Sequence, residues 1–287
     1  MTKTVAFTLD VEDPRVDMDR EYRVRKNVDA VLQWLDERNI RGTAFVVGTL
    51  AQQDPDLVRV IANHGHEIGL HSWTHTPLEK HSPADLTADL SRGRALLQDL
   101  AQQPVNGFRA PIFSLTERTP WAPAAITNVG FTYSSSVLPA RNPLFGLPTA
   151  PRTPFRWETG LLELPSPVGS VGPLEVPFLG GTYLRLLPKR TTRRLLASHS
   201  DDDVYWTYCH PWDFDAKEDL AKYPETSWPA TLLCYVGRKR MFKKLDSALR
   251  DVSTARLGDI ADDLNARDDT QLASFNLHTA AASHRSA

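Results

Sequence analysis

From Thr4 onward, short β-rich runs alternate with segments of helical periodicity, and this alternation limits the chain to few folds. TVAFTLDV (4–11) and RGTAFVVG (41–48) read as strands, separated by NVDAVLQWLDERN (27–39), whose apolar residues recur at helical spacing. DPDLVRVIANHG (54–65) is a further helix, with Asp54 placed to cap it, Pro55 in its first turn and Gly65 at its stop. HEIGLHS (66–72) follows as a strand and SPADLTADLSRGRALLQDLAQQP (82–104) as a long helix. GFRAPIFS (107–114) then reads as a strand and turn, and WAPAAITNVGFTYSSS (121–136) as a helix followed by a strand. Such alternation favours parallel β/α units, so an α/β barrel is expected, with ligands at the carboxyl ends of the strands.

Residues 138–182 change character. Pro and Gly are frequent while large apolar residues persist, which predicts an irregular insertion over the barrel mouth. KRTTRRLLASH (189–199) reads as a helix, VYWTYCH (204–210) as a strand, and 230–251 contains the last major helix. Residues 1–267 are expected to form one domain, and the polar, alanine-rich stretch 268–287 a flexible tail. With 287 residues, 41% apolar and 24% charged, the chain has enough apolar surface for one sizeable core.

A formal net charge of −2 gives no electrostatic basis for a nucleic-acid or anionic-membrane surface. Two basic runs, LRLLPKRTTRR (184–194) and GRKRMFKK (237–244), read as solvated helix faces. No apolar run approaches the ~20 residues that span a bilayer. The start, MTKTVAFTLDVED, lacks the charged head and apolar core of a leader, so a cytoplasmic location is the expectation. Cys209 and Cys234 are too few for a disulfide framework or a cysteine-based zinc cluster.

Polar clusters lie where the strands should end. In TLDVEDP, Asp10 and Glu12 share one face of the strand, and Asp13 joins them only if the strand stops there; acids before a proline also form turns. In HSWTH, a strand ending at His71 and a helix starting near Ser72 would let His71 and His75 converge on one divalent ion such as zinc, with a carboxylate from another strand end completing the set. His64 and His66 stand at helix-stop and strand-entry positions and read as surface or packing residues. In GFRAPIFS, Arg109 can hold an acidic base through a charge-assisted hydrogen bond, and Pro111 stiffens a turn whose backbone N–H groups can bind an oxyanion. In YCHPWDFD, His210 is placed to protonate a leaving nitrogen, and Trp212 to cover one face of a sugar ring.

Taken in order and spacing, TLDVED, HEIGLHSWTH, GFRAPIFS and CHPWDFD resemble the polysaccharide deacetylase superfamily, the NodB-homology or family 4 carbohydrate esterases, across roughly residues 4–250. VPFLGGTYLRLLP and YCHPWDFD resemble the branch associated with bacterial exopolysaccharide gene clusters. The resemblance implies a distorted (β/α) barrel and a metal-dependent hydrolase that removes N-acetyl groups from an amino-sugar-containing saccharide. It implies Asp10 as catalytic base, Arg109 as its partner, His71 and His75 as metal ligands with Glu12 or Asp13, and His210 as general acid. Zinc is the implied metal, with cobalt or nickel as alternatives. Two departures stand out. Ile112 occupies a position where many relatives have tyrosine, so any anion contact there must come from the backbone. Tyr133-Ser134-Ser135-Ser136 replaces a frequent Tyr-Asp-Ser-Ser. The alternative functions are hydrolysis of a small amide or cyclic ureide, as in allantoinase-like relatives, and a carbohydrate-binding barrel without turnover.

Overall fold

The first strand of the chain is buried from Val5 onward and interrupted only at Phe7, giving Thr4–Ala6 (β1) and Thr8–Val11 (β2). Burial on both faces is the mark of a parallel sheet covered by helices. The computed structural model describes residues 3–15, 19–142, 144–198, 203–222, 227–267 and 272–277. Across it, β2 pairs in parallel with Thr43–Val46 (β3), which pairs with Glu67–Leu70 (β4), then Gly107–Phe108 (β5), Tyr133–Ser134 (β6) and, out of sequence order, Leu162–Glu163 (β8). Phe155–Trp157 (β7) returns antiparallel to β8. On its other side β1 pairs with Tyr205–Trp206 (β11), and Leu9 bridges to Cys209. This is a mixed α/β fold of the NodB type, and backbone pairing among the described residues leaves the sheet open.

Register explains where the chemistry gathers. Val11 pairs with Val46, Val46 with Leu70, Leu70 with Phe108, and Phe108 with Ser134. The residues that follow are therefore level at the carboxyl end of the sheet: Glu12, Val47, His71, Arg109 and Ser135. Helices flank these strands. Val24–Asp36 (α1) buries Val24, Val28, Val31, Leu32 and Leu35, each stabilising the core by about 1.5–3 kcal/mol relative to exposure. Pro55–Asn63 (α3) is capped as expected, with Asp54 accepting from the Leu57 N–H at 3.1 Å, and Pro83–Ala101 (α4) is capped by Ser82. Gly48–Gln53 (α2), absent from the sequence reading, follows β3 directly. Ala122–Val129 (α5) precedes β6.

The second half is more regular than its composition suggests. Residues 138–182 supply β7 and β8 to the main sheet, together with an antiparallel hairpin, Gly169–Val171 (β9) and Leu174–Val176 (β10). Gly181–Leu186 (α6) and Lys189–Ser198 (α7) precede β11. The expected last helix is two, Trp228–Tyr235 (α8) and Met241–Ala248 (α9), divided by Gly237 at φ 82°. After them Ser253–Ala255 (β12) joins β1, and Leu257–Asn265 (α10) packs beyond it. Part of the expected tail is also ordered: Ala273–Phe275 (β13) pairs with β7, while 268–271 and 278–287 lie outside the described residues. No helix among the described residues is long and apolar enough to cross a membrane.

Candidate active site

His71 leaves β4 with its N–H donating to the Val46 carbonyl at 2.9 Å, and an irregular loop, not the expected helix, carries the chain to His75. Ser72 and His75 sit in the left-handed region, at φ 63° and 57°. Each such non-glycine residue costs about 1–3 kcal/mol, so the surrounding structure must over-determine the loop. It does so through α2, whose Gly48 and Thr49 N–H groups donate to the Ser72 and Trp73 carbonyls at 3.0 and 2.8 Å. Trp73 packs so closely on Gly48 that a Cβ there would lie 2.3 Å from its ring, and Arg92 covers the indole at 3.7 Å.

This loop brings three donors together. Among the described residues, ligand atoms of Glu12, His71 and His75 lie within 4.8 Å of one another. His71 Nδ1 donates to the Arg109 carbonyl at 2.8 Å, which leaves its Nε2 lone pair facing Glu12 Oε2 at 3.8 Å. Burial lowers the His71 pKa to about 3, keeping the ring neutral as a ligand must be. His75 Nε2 also contacts Glu12 Oε2. Burial works against charge on this pair, but their attraction prevails, lowering the Glu12 pKa and raising that of His75. Two imidazoles plus one buried carboxylate, converging from separate strand ends, fit one divalent ion. Asp13 is not part of this set. Its carboxylate is held by the Arg15 guanidinium, with contacts of 2.9 and 2.7 Å, because the chain turns away from the sheet after Glu12. His66 packs inside, accepting from the Gly42 N–H, and His64 pairs with Asp36.

Asp10 is fixed by Arg109, whose Nη1 donates to it at 2.5 Å and to Thr8 Oγ1 at 2.7 Å. The guanidinium is 1% exposed and lies between the Phe45 and Trp206 rings, 4.1 and 4.2 Å from their centroids. Its Nε donates to Ser135 Oγ at 2.9 Å, and Ser136 Oγ accepts the Ala110 N–H at 2.8 Å. The serine tract thus holds the RAPIF turn. Beside it in register with Ser134, the buried Glu163 accepts from the Ser136 and Val137 N–H groups and the Trp157 indole. Burial pushes the Glu163 carboxyl pKa upward. Pro111 opens the turn as expected, and Ile112 occupies the left-handed region at φ 51°, an outlier for a β-branched residue, with 41% of its surface exposed.

His210 completes the group. Its Nε2 faces Glu12 Oε1 at 3.8 Å, and its Nδ1 meets Asp213 at 3.1 Å. Burial opposes the charged imidazolium, but Asp213, then Glu12 and Asp10, overcome it and raise the pKa to about 9. Behind Asp213 stands Arg185, donating to it from Nε at 2.8 Å, both side chains being 1% exposed or less. Neither Asp213 nor Arg185 was singled out from the sequence, although the acid lies only three residues after His210, a spacing that could have pointed to it. Trp212 stacks on His210, with centroids 4.3 Å apart and planes at 12°, so one face of its indole is taken by the imidazole and not by a sugar. A cavity of about 170 Å³ opens beside the donor set, lined by Glu12, Asp13, Thr49, Gln53, Thr74 and His75.

A parallel sheet with two imidazoles, a carboxylate, an arginine-held acid and a backed histidine at one end defines a hydrolase-type α/β site. A family model described as "Polysaccharide deacetylase" matches residues 2–133, and one described as a domain of unknown function, DUF3473, matches residues 135–262. The amino-terminal half of the chain thus carries a polysaccharide deacetylase domain, followed by a DUF3473 domain. Chitin deacetylase 1 of Cryptococcus neoformans is 28% identical over 88 residues, 31% of this chain and 19% of that protein. A peptidoglycan-N-acetylglucosamine deacetylase of Bacillus cereus is 30% identical over 93 residues, 32% of this chain and 34% of the relative. A chitooligosaccharide deacetylase of Bradyrhizobium is 33% identical over 82 residues, 28% of this chain and 37% of the relative. Each match spans well under half of the curated relative. Among solved structures, a protein of Mycobacterium smegmatis provisionally named a polysaccharide deacetylase shares 24% identity over 95% of this chain and 92% of its own, with a TM-score of 0.64. Puue allantoinase shares 17% identity over 93% and 91%, with a TM-score of 0.59. Both share the fold.

Proposed function

We propose that this chain is a metal-dependent hydrolase that removes N-acetyl groups from an amino-sugar-containing saccharide or sugar conjugate, with residues 1–267 acting as one catalytic unit. The observation that carries this reading is the convergence of the Glu12, His71 and His75 donors with the Arg109-held Asp10 and the Asp213-backed His210. Zinc suits this donor set, and cobalt or nickel are the alternatives. Glu12, His71 and His75 would hold a divalent ion, which would supply polarisation of the acetamide carbonyl and a lowered pKa for the water. Asp10, oriented by Arg109, accepts the proton of the attacking water. The backbone N–H of Ile112, in the turn opened by Pro111, donates to the developing oxyanion. His210, charged at neutral pH, delivers its Nε2 proton to the sugar nitrogen as the C–N bond breaks, leaving acetate and a free amine. Asp213 holds the imidazole through Nδ1. We read the substrate as an exopolysaccharide or its precursor, as the resemblance of VPFLGGTYLRLLP and YCHPWDFD implies.

The test is acetate release by the purified protein, stripped of metal and then supplied with zinc, cobalt or nickel, on N-acetylated chitooligosaccharides and peptidoglycan fragments, with allantoin as comparator. Metal-dependent acetate release from a saccharide is expected. Ureide hydrolysis without acetate release would replace this reading with the allantoinase-like one, and sugar binding without turnover in every metal would replace it with a binding barrel.

A further inference from the structure

One apolar helix and two basic runs that the catalytic site does not use meet on one surface. In α8, WPATLLCY, the only buried residue is Thr231. Trp228, Leu232 and Leu233 are 52%, 46% and 44% exposed, and Val236, just beyond the helix, is 51% exposed. Single exposed apolar residues are ordinary, but four large ones within one short stretch form a patch. The helix is nevertheless firmly anchored by its backbone. Buried Arg185 donates to the carbonyls of Leu233, at 3.1 Å, and Val236, and Arg238 donates to that of Cys234 at 2.8 Å.

The basic runs converge beside this patch. Val236, Leu186, Lys239 and Arg240 line one cavity of about 550 Å³. Lys244, from the second run, donates to the Leu187 carbonyl in the first, and its pKa is lowered by burial and by the nearby charges of Lys189 and Arg240. The cavity's own acids are engaged elsewhere, Glu218 by Arg238 at 2.6 Å and Asp215 by Arg23 at 2.5 Å. Lys189, Arg190, Lys239, Arg240 and Lys243 are exposed, and among the described residues none has a carboxylate within salt-bridge reach.

We propose that α8 and the converged basic runs dock this protein onto an anionic lipid bilayer, with Trp228, Leu232, Leu233 and Val236 entering the headgroup boundary and Lys189, Lys239 and Arg240 meeting lipid phosphates. Apolar side chains rimmed by cations match such a surface in both hydrophobicity and charge, and tryptophan is favoured at that depth. A second copy of this chain fits worse, because a two-fold interface places the same cations against one another. Arg185, which holds the end of α8, also holds Asp213 behind His210, so the docking face and the proposed acid share one buried anchor. The docking proposal does not depend on the deacetylase reading.

The test is co-sedimentation of the full chain with phosphatidylglycerol-rich vesicles and with phosphatidylcholine vesicles. Binding to the first, weakened by salt, and little binding to the second are expected. Replacing the cations together, as Lys189→Gln, Lys239→Gln and Arg240→Gln, should weaken binding about a hundredfold, and Leu232→Ser with Leu233→Ser about tenfold, both with native circular dichroism. Absence of wild-type binding at low salt overturns the proposal. So does equal binding to both vesicles, or a solution dimer that the serine variant dissociates.

Discussion

The amino-terminal half places five site side chains, Asp10, Glu12, His71, His75 and Arg109, at the ends of adjacent parallel strands, whereas the carboxyl-terminal half contributes His210 and the buried groups that hold it. In the first half, register does the positioning: once the strands pair, the donors are level, and the α2 N-terminus fixes the loop between the histidines. In the second half, a charge network does it. Asp213 and Arg185 form a pair with both side chains at 1% exposure or less, and such pairs contribute little net stability against a hydrophobic alternative. Their presence is better explained by what they hold in place. In the proposed function, one half binds the ion and the other aims a proton.

The largest effect should come from breaking the first half's donor set. Glu12→Gln or His71→Ala should lose bound metal and lower kcat/KM at least about a thousandfold in a folded protein, as metal analysis and acetate release will report. Asp10→Asn should keep the metal while lowering kcat by about 10²–10⁴, because only the proton acceptor is lost. Asp213→Asn probes the other half and should cost about 10- to 100-fold with metal content unchanged. It should also leave a signature in pH profiles. A general acid works while protonated, so activity should decline as pH rises through about 9 in the wild type, and losing the Asp213 charge should move that decline to lower pH. The smallest effect belongs to Asp13→Asn. With its carboxylate engaged by Arg15 and outside the donor set, metal content should be unchanged and stability should fall by only about 1 kcal/mol, measured by denaturant unfolding.

The sequence disclosed the two halves unequally. Strand–helix alternation and polar residues at strand ends sufficed for β2 to β6 and for the residues that converge on Glu12, since those strands are apolar runs with clear stops. The choice between Glu12 and Asp13 is a tertiary one, because it turns on Arg15 drawing Asp13 aside. The route from His71 to His75 was misread as a helix start, since nothing local signals left-handed Ser72 and His75, neither being glycine. In the second half, VYWTYCH was legible as a strand and supplies β11, but β12 is three residues long, too short to show a period, and β8 is hidden in a Pro/Gly-rich stretch. Arg185 meets Asp213 across 28 positions of sequence, and Glu163 meets Ser136 across 27, distances over which pattern carries no information. The basic runs looked like solvated faces because their convergence at Leu187 and Lys244 is a tertiary fact.

The central claim is that one site, assembled from both halves around Glu12, His71 and His75, holds a divalent ion and uses it to deacetylate. Metal stoichiometry measured alongside acetate release, in wild type, Glu12→Gln and Asp13→Asn, tests it most directly. The account predicts one ion per chain and acetate release in wild type and Asp13→Asn, with both lost together in folded Glu12→Gln. Retention of metal and activity by Glu12→Gln, or their loss in Asp13→Asn, would contradict it.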